Sequence, residues 1–311
     1  MAAVFVFTAC DGDPFSTTTT GTTTETTETT ATGASPDTLK NNLSGLTYDP
    51  VAKTFVVEIA ALDGSLTTAT YARNTAAEAG FGAGIEAYTL QEDPLDRFFT
   101  GLIKTSTDGT VRAGVVSDGG QFQRFFSGAY YERDGSFTPP TATSAAGSGQ
   151  VSYAGDYAGL DNYTGPRPLL PTGTDPSIQM EAPGRVTGQV FINANFSDLK
   201  LNGSVFNRVA IDRVTTANPS GTPLTTLILV PGDIAADGTF FGSTIELSGG
   251  TVDIGDYGGI FGGVDAASLG GTLVIADFDS TIENESETGF FVLTQCGMTG
   301  EDATLCSTSA P

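Results

Sequence analysis

The chain has 311 residues, of which 39% are hydrophobic, and it carries 36 acidic against 13 basic residues with no histidine, for a formal net charge of -23. Such a chain can build one or two real cores; its charge argues against nucleic acid, whose phosphates it would repel, and the missing histidine excludes Ser-His-Asp and Cys-His machinery. Every lysine and arginine lies at or before Arg213, so the final third is purely acidic, which reads as a solvated surface or as a docking face for a cationic partner.

Residues 1–10, MAAVFVFTAC, are a short apolar run that ends in small residues before a cysteine. The run resembles the end of a bacterial lipoprotein signal peptide, which implies cleavage after Ala9 and lipidation of Cys10. A hydrophobic end with a free thiol is the alternative. No other apolar run approaches the ~20 residues of a spanning helix, so membrane attachment is expected through lipid. Residues 10–38 are rich in threonine, with nothing large and apolar between Phe15 and the end of the segment, and read as a disordered tether.

Residues 39–146 read as short strands at 54–60, 67–72, 85–91, 97–105, 110–117 and 123–132, with Asp63-Gly64, Asp108-Gly109 and Asp118-Gly119 as turns. The expectation is an open, antiparallel sheet. Residues 75–79 carry a weak helical signal. Gly80-Phe81-Gly82-Ala83-Gly84 superficially suggests a phosphate loop, but it precedes a strand rather than a helix and reads as a flexible turn. A run of small residues, prolines and glycines over 138–149 places the domain boundary near 146.

Eight strands follow, near 150–159, 184–196, 200–211, 224–230, 240–247, 253–261, 269–278 and 288–295. In the second, Val186, Gly188, Val190, Ile192, Ala194 and Phe196 share one face and polar residues the other, with Phe191 the exception. The third alternates through Leu201, Gly203, Val205, Val209 and Ile211, and the fifth through Phe241, Ile245 and Leu247. In GDYGGIFGG, Gly255, Tyr257, Gly259 and Phe261 share a face, the pattern of a tightly bent strand filling a narrow interior; Gly155-Asp156-Tyr157-Ala158-Gly159 repeats it. Eight meandering strands over 147–296 predict an antiparallel β-barrel whose interior side chains fill, with a two-sheet sandwich as the alternative. The polar faces argue against a membrane-spanning barrel. In an exported chain Cys296 and Cys306 pair most simply as a disulfide that ties the 297–311 tail to the end of the barrel, and two thiols without histidine make a poor metal cage.

The paired Gly-x-Tyr-x-Gly strands, GQVFINANFSDLKLNGSVFNR and GDYGGIFGGVDAASLGGTLVI are similar to the barrel domain of transferrin-binding protein B and its single-lobe relatives among Gram-negative surface lipoproteins. The turn at 262–271 keeps the family's alanine and final glycines and lacks its proline and glutamate. The resemblance implies a handle-like domain at 39–146, a barrel at 147–296, a lipid anchor and surface exposure. This chain has room for one lobe where the family protein has two, and the family binds through variable loops, so no binding residue is carried over.

The acidic residues Asp277, Asp279, Glu283, Glu285 and Glu287 lie on the expected hairpin between the last two strands. They read as a solvated loop, or as oxygen ligands for calcium. The segment 160–181, with Pro166, Pro168, Pro171 and Pro176, is a long excursion of the kind that carries binding function on a rigid scaffold. No motif implies a cofactor or a metal. The leading expectation is a non-enzymatic outer-membrane surface lipoprotein that binds an extracellular protein or small solute through its loops. Its alternatives are a structural envelope lipoprotein without a soluble ligand and a carboxylate-dependent hydrolase.

Overall fold

The structure, a computed structural model, describes residues 35–60, 64–120, 124–140, 149–162, 169–171, 173–175, 180–278 and 284–308. Cys10 and nearly all of the threonine-rich segment lie outside them. Among the described residues the only helices besides a 3-10 turn are α1 (Asp37–Lys40) and α2 (Ala303–Cys306), and no helix is long and apolar enough to cross a membrane.

The first sheet is antiparallel and follows chain order: β1 (Leu43–Asp49), β2 (Thr54–Ala60), β3 (Leu66–Arg73), β4 (Glu86–Leu90), β5 (Phe99–Thr105), β6 (Val111–Asp118) and β7 (Ser127–Arg133). Alternation decides its inner face, as in β2, where Phe55, Val57 and Ile59 are buried while the residues between them are less so. The sheet curls until the Asn42 amide donates to the Ser127 carbonyl at 2.9 Å, so it is nearly closed. Inside, Phe55 stacks on Tyr88 at 4.9 Å and Tyr48 meets both edge-on. Residues 75–79, where a helical signal was expected, form turns.

The second sheet closes on itself. Its strands are β8 (Gln150–Asp161), β9 (Gly184–Asn195), β10 (Lys200–Ala210), the two-residue β11 (Thr222–Pro223), β12 (Leu227–Ile234), β13 (Thr239–Gly242), β14 (Ile245–Leu247), β15 (Gly255–Gly262), β16 (Ser268–Ala276) and β17 (Ser286–Gln295). Going round, β8-β9-β10-β12-β13-β15-β16-β17 returns to β8, and the β10–β12 pairing completes an eight-stranded antiparallel barrel. Tyr153, Tyr157, Tyr257, Phe240, Phe261 and Phe291 fill the interior. Glycines make room for several of these rings: Tyr257 lies across from Gly242, Phe240 from Gly259 and Phe291 from Gly271, and a Cβ at any of those glycines would overlap the ring.

Two expected phases are corrected. In β10 the register shifts between Phe206 and Val209, where Asn207 takes φ +50°. A bulge inserts one residue and reverses the alternation, so Arg208 and Ala210 are buried where Val209 and Ile211 were expected. The expected strand 240–247 is two strands, β13 and β14. Phe240 points into the barrel, and Phe241 instead packs against the first sheet.

The two sheets share a core. Outer residues of the first, among them Ile85, Leu102, Val115 and Ala129, pack on Ala158, Ile260, Phe290 and Val292 of the barrel wall. This is why β6 is buried on both faces along most of its length. The connection is latched as well. Phe137 bridges to Gly263 and its ring sits 6.2 Å from both Phe196 and Phe261, while Arg133 donates to the carbonyls of Asp237 and Phe261.

Phe191, out of phase on β9, has a partner that the sheet does not supply. The chain after β17 folds back over the barrel wall, placing Leu305 against Phe191 and Ala154. Asp302 caps α2 by accepting from the Thr304 and Leu305 amides. The Cys296–Cys306 disulfide, with Cα atoms 5.5 Å apart, holds this clasp. Substituting both cysteines with serine is expected to destabilise the protein by about 2–3 kcal/mol on the chain-entropy model. Urea denaturation of the variant beside the oxidised parent measures it, and unchanged midpoints would show that Leu305 holds the clasp unaided.

Candidate binding surface

The connections at 162–183, 211–226, 248–254 and 277–285 all leave the barrel at one end, because each joins a strand that ends there to one that begins there. The two excursions singled out in the sequence therefore meet. Asn162, just after β8, donates to the Asn284 carbonyl at 3.0 Å and accepts from the Ser286 amide at 2.8 Å, and its own amide donates to the Ser286 carbonyl. Residues 163–168, 172, 176–179 and 279–283, with Asp279 and Glu283 among them, lie outside the described residues.

The base of the 160–181 excursion leans on the first sheet. Leu169 donates to the Met180 carbonyl, Met180 is buried, and the Glu181 amide reaches the Gly120 carbonyl at 3.4 Å. Burial pushes the Glu181 carboxyl above its ordinary value. A Cβ at Gly119 would overlap the backbone of Glu181 and Ala182, so glycine there permits the close approach.

Arg185, the second residue of β9, ties three segments together. Its Nε and one terminal nitrogen donate to the two oxygens of Asp212 at 2.9 and 2.8 Å, and its other terminal nitrogen donates to the Ala77 and Ala79 carbonyls. The guanidinium also lies 5.9 Å from the Phe81 ring. The turn at 80–84, expected to be flexible, is thus docked on the barrel. Its neighbours at 77 and 79 present carbonyl oxygens to a cation, the opposite of a phosphate cradle.

The acidic hairpin is not uniformly solvated. Asp277 is exposed, whereas Glu285 and Glu287 are buried. Glu287 is spent within the barrel: one oxygen accepts from Tyr157 at 2.5 Å and the other from Arg208 at 2.6 Å. Arg208 donates in addition to the Thr225 carbonyl at 2.7 Å. Burial and then the Glu287 carboxylate push the Tyr157 hydroxyl well above its ordinary value, so it stays protonated and keeps donating. This cluster plugs the loop end of the barrel. Glu287 is buried there, with each oxygen in a hydrogen bond inside the barrel.

Arg208 is the residue that sequence reasoning missed. Its signal was the broken phase in VFNRVAI, where an Asn-Arg pair interrupts an alternating strand.

No family model matches the sequence, and no curated protein matches it. Solved structures do match. The chain is similar in architecture to transferrin binding protein B. Intact Ap-TbpB, with its N and C lobes, is 13% identical, with a TM-score of 0.37 over 80% of this chain and 53% of that one. A double mutant of the protein from Haemophilus parasuis Hp5 is 12% identical, with a TM-score of 0.38 over 80% and 52%. The isotype 1 protein from serogroup B Neisseria meningitidis is 13% identical, with a TM-score of 0.34 over 80% and 50%. The chain spans about half the length of these structures.

Proposed function

We propose that this protein is a non-enzymatic surface lipoprotein, anchored to the outer membrane through lipid on Cys10, that binds an extracellular protein or a solute-bearing partner through the loop end of its barrel. The observation that carries this reading is that a barrel filled by aromatic rings and plugged by Arg208, Glu287 and Tyr157 leaves its binding capacity outside, where the 160–181 and 277–287 excursions converge. Long loops on a rigid scaffold suit recognition, and the acidic final third suits a cationic face on the partner. The threonine-rich sequence between Cys10 and the body suits a tether.

The test combines address with binding. Protease treatment of intact cells is expected to remove the protein, and mass spectrometry of the mature chain is expected to find lipid on Cys10. Chains shortened across 163–179, across 278–284 or across both, displayed on cells and cross-linked in host fluid, are expected to lose partner capture, and capture by the parent is expected to weaken as salt rises. Undiminished capture with both loops removed would place the site elsewhere. A protected chain on intact cells would overturn surface exposure.

A further inference from the structure

The first sheet is split along one side. β3 pairs with β2 along six of its residues, from Leu66 to Tyr71, yet with β4 only at Ala72 and Arg73. Beyond that point the strands part, and no strand among the described residues stands beside 66–70 on that side. The direction of the free groups follows from the ladder. The Asn74 amide donates to Ala87 on the β4 side at 2.8 Å, and alternate residues of a strand aim their backbone N–H and C=O the same way. Counting back by two through Ala72, the amides and carbonyls of Thr70, Thr68 and Leu66 face the gap. Natural edges are blunted by charge, proline or bulges. The stretch LTTATY has none of these, and Leu66 is 54% exposed.

Beside this bare edge lies a cavity of about 500 Å³, floored by Val57, Ile59 and Tyr71 and walled by Leu90, Phe99 and Phe126. It sits on the inner face of the sheet, the face to which Thr67, Ala69 and Tyr71 point. The exposed carboxylates Glu92 and Asp96 stand at its rim, and the one cation of the lining, Arg97, is already paired with buried Asp118. A binding slot for one extended segment needs unpaired backbone on one side and an apolar recess for every second side chain. Both are present, and the acidic rim selects the sign of the flanking charge.

We propose that the gap between β3 and β4 is a docking slot for an extended, basic-flanked segment of a partner protein, which adds as a strand to the Leu66–Thr70 edge and places alternate apolar side chains in the cavity. Residues of the segment opposite Thr67 and Ala69 enter the recess, while those opposite Thr68 exchange backbone hydrogen bonds with it. The site is independent of the barrel loops, so it stands or falls separately from the function proposed above.

The probe is the peptide acetyl-Arg-Val-Thr-Val-Thr-Val-Arg-amide, titrated calorimetrically into the full chain. Binding is expected, weakened by salt and by Glu92→Gln with Asp96→Asn. N-methylation of the two peptide threonines, which removes the donors facing β3 and leaves every side chain, is expected to cost at least about tenfold in affinity, the loss of one to two hydrogen bonds. Thr68→Pro removes the amide that faces the slot without touching the β2 ladder and is expected to do the same, while Thr68→Val retains binding. If Thr68→Pro misfolds, the methylated peptide on the parent chain still decides the question. Equal binding of the methylated peptide would show an apolar pocket rather than strand addition. A concentration-dependent dimer dissolved by Thr68→Pro would make the occupant a second copy of this chain. No binding of the parent peptide would overturn the slot.

Discussion

Arg208→Met is expected to destabilise the protein by about 4 kcal/mol, because it removes the cation that balances a buried carboxylate. Arg208 and Glu287 are 2.6 Å apart, with side chains 2% and 0% exposed. Taking away the guanidinium leaves Glu287 with one hydrogen bond, from Tyr157, and no opposite charge. It also removes the hydrogen bond that the guanidinium gives the carbonyl of Thr225, an exposed residue at the base of the 211–226 loop that water can serve instead. The loss is therefore a desolvated charge without its partner, and it should shrink when the charge goes too. Arg208→Met with Glu287→Leu is expected to recover much of the stability, since a pair replaced by apolar groups of similar volume is often neutral. Urea unfolding followed by circular dichroism, with a double-mutant cycle, measures both effects. Equal destabilisation by the single and double variants would mean that packing, not charge balance, is what Arg208 contributes.

Gly289→Val is expected to cost more than about 3 kcal/mol, beyond the usual range for an overpacked core, because backbone and ring are both fixed where the new atoms must go. A Cβ at Gly289 would overlap the Tyr157 ring and its hydroxyl. The ring cannot step aside without surrendering its hydrogen bond to Glu287, and the residues flanking Gly289 lie in the barrel ladder, with Gly289 itself opposite Gly159. The effects of Gly289→Val and Tyr157→Leu should then be strongly non-additive, because the smaller side chain vacates the contested space. Thermal unfolding of the two single variants and the double variant checks this. Additive losses would place the strain somewhere other than the ring.

Legibility differed between elements for identifiable reasons. β9 and β15 were readable because inward residues recur at every second position, with Phe191 the exception in β9, and the signal lies within a few residues. The barrel was the simplest reading of the number of strands and of the two Gly-x-Tyr-x-Gly segments, in which Gly259 leaves room for the Phe240 ring. β10 was readable as far as Phe206, after which one extra residue at Asn207 reversed its faces. Phe191 looked like an error of phase, and is instead the seat for Leu305, more than a hundred positions along the chain. The acidic hairpin was located correctly, but the burial of Glu285 and Glu287 turned on what stands opposite them.

By itself the sequence determined the all-β class, a first sheet followed by eight further strands, and the simplest pairing of Cys296 with Cys306, since alternation, turn residues and cysteine count are local properties that survive without neighbours; closure into a filled barrel rather than a sandwich is a matter of which distant strands pair. Only the tertiary structure decided that Arg208 faces inward, that it meets a glutamate 79 positions away, and that β3 parts from β4 to leave an unpaired edge. Each of these depends on register between distant strands. A shift of one residue changes every inward side chain while leaving composition and local pattern as they were.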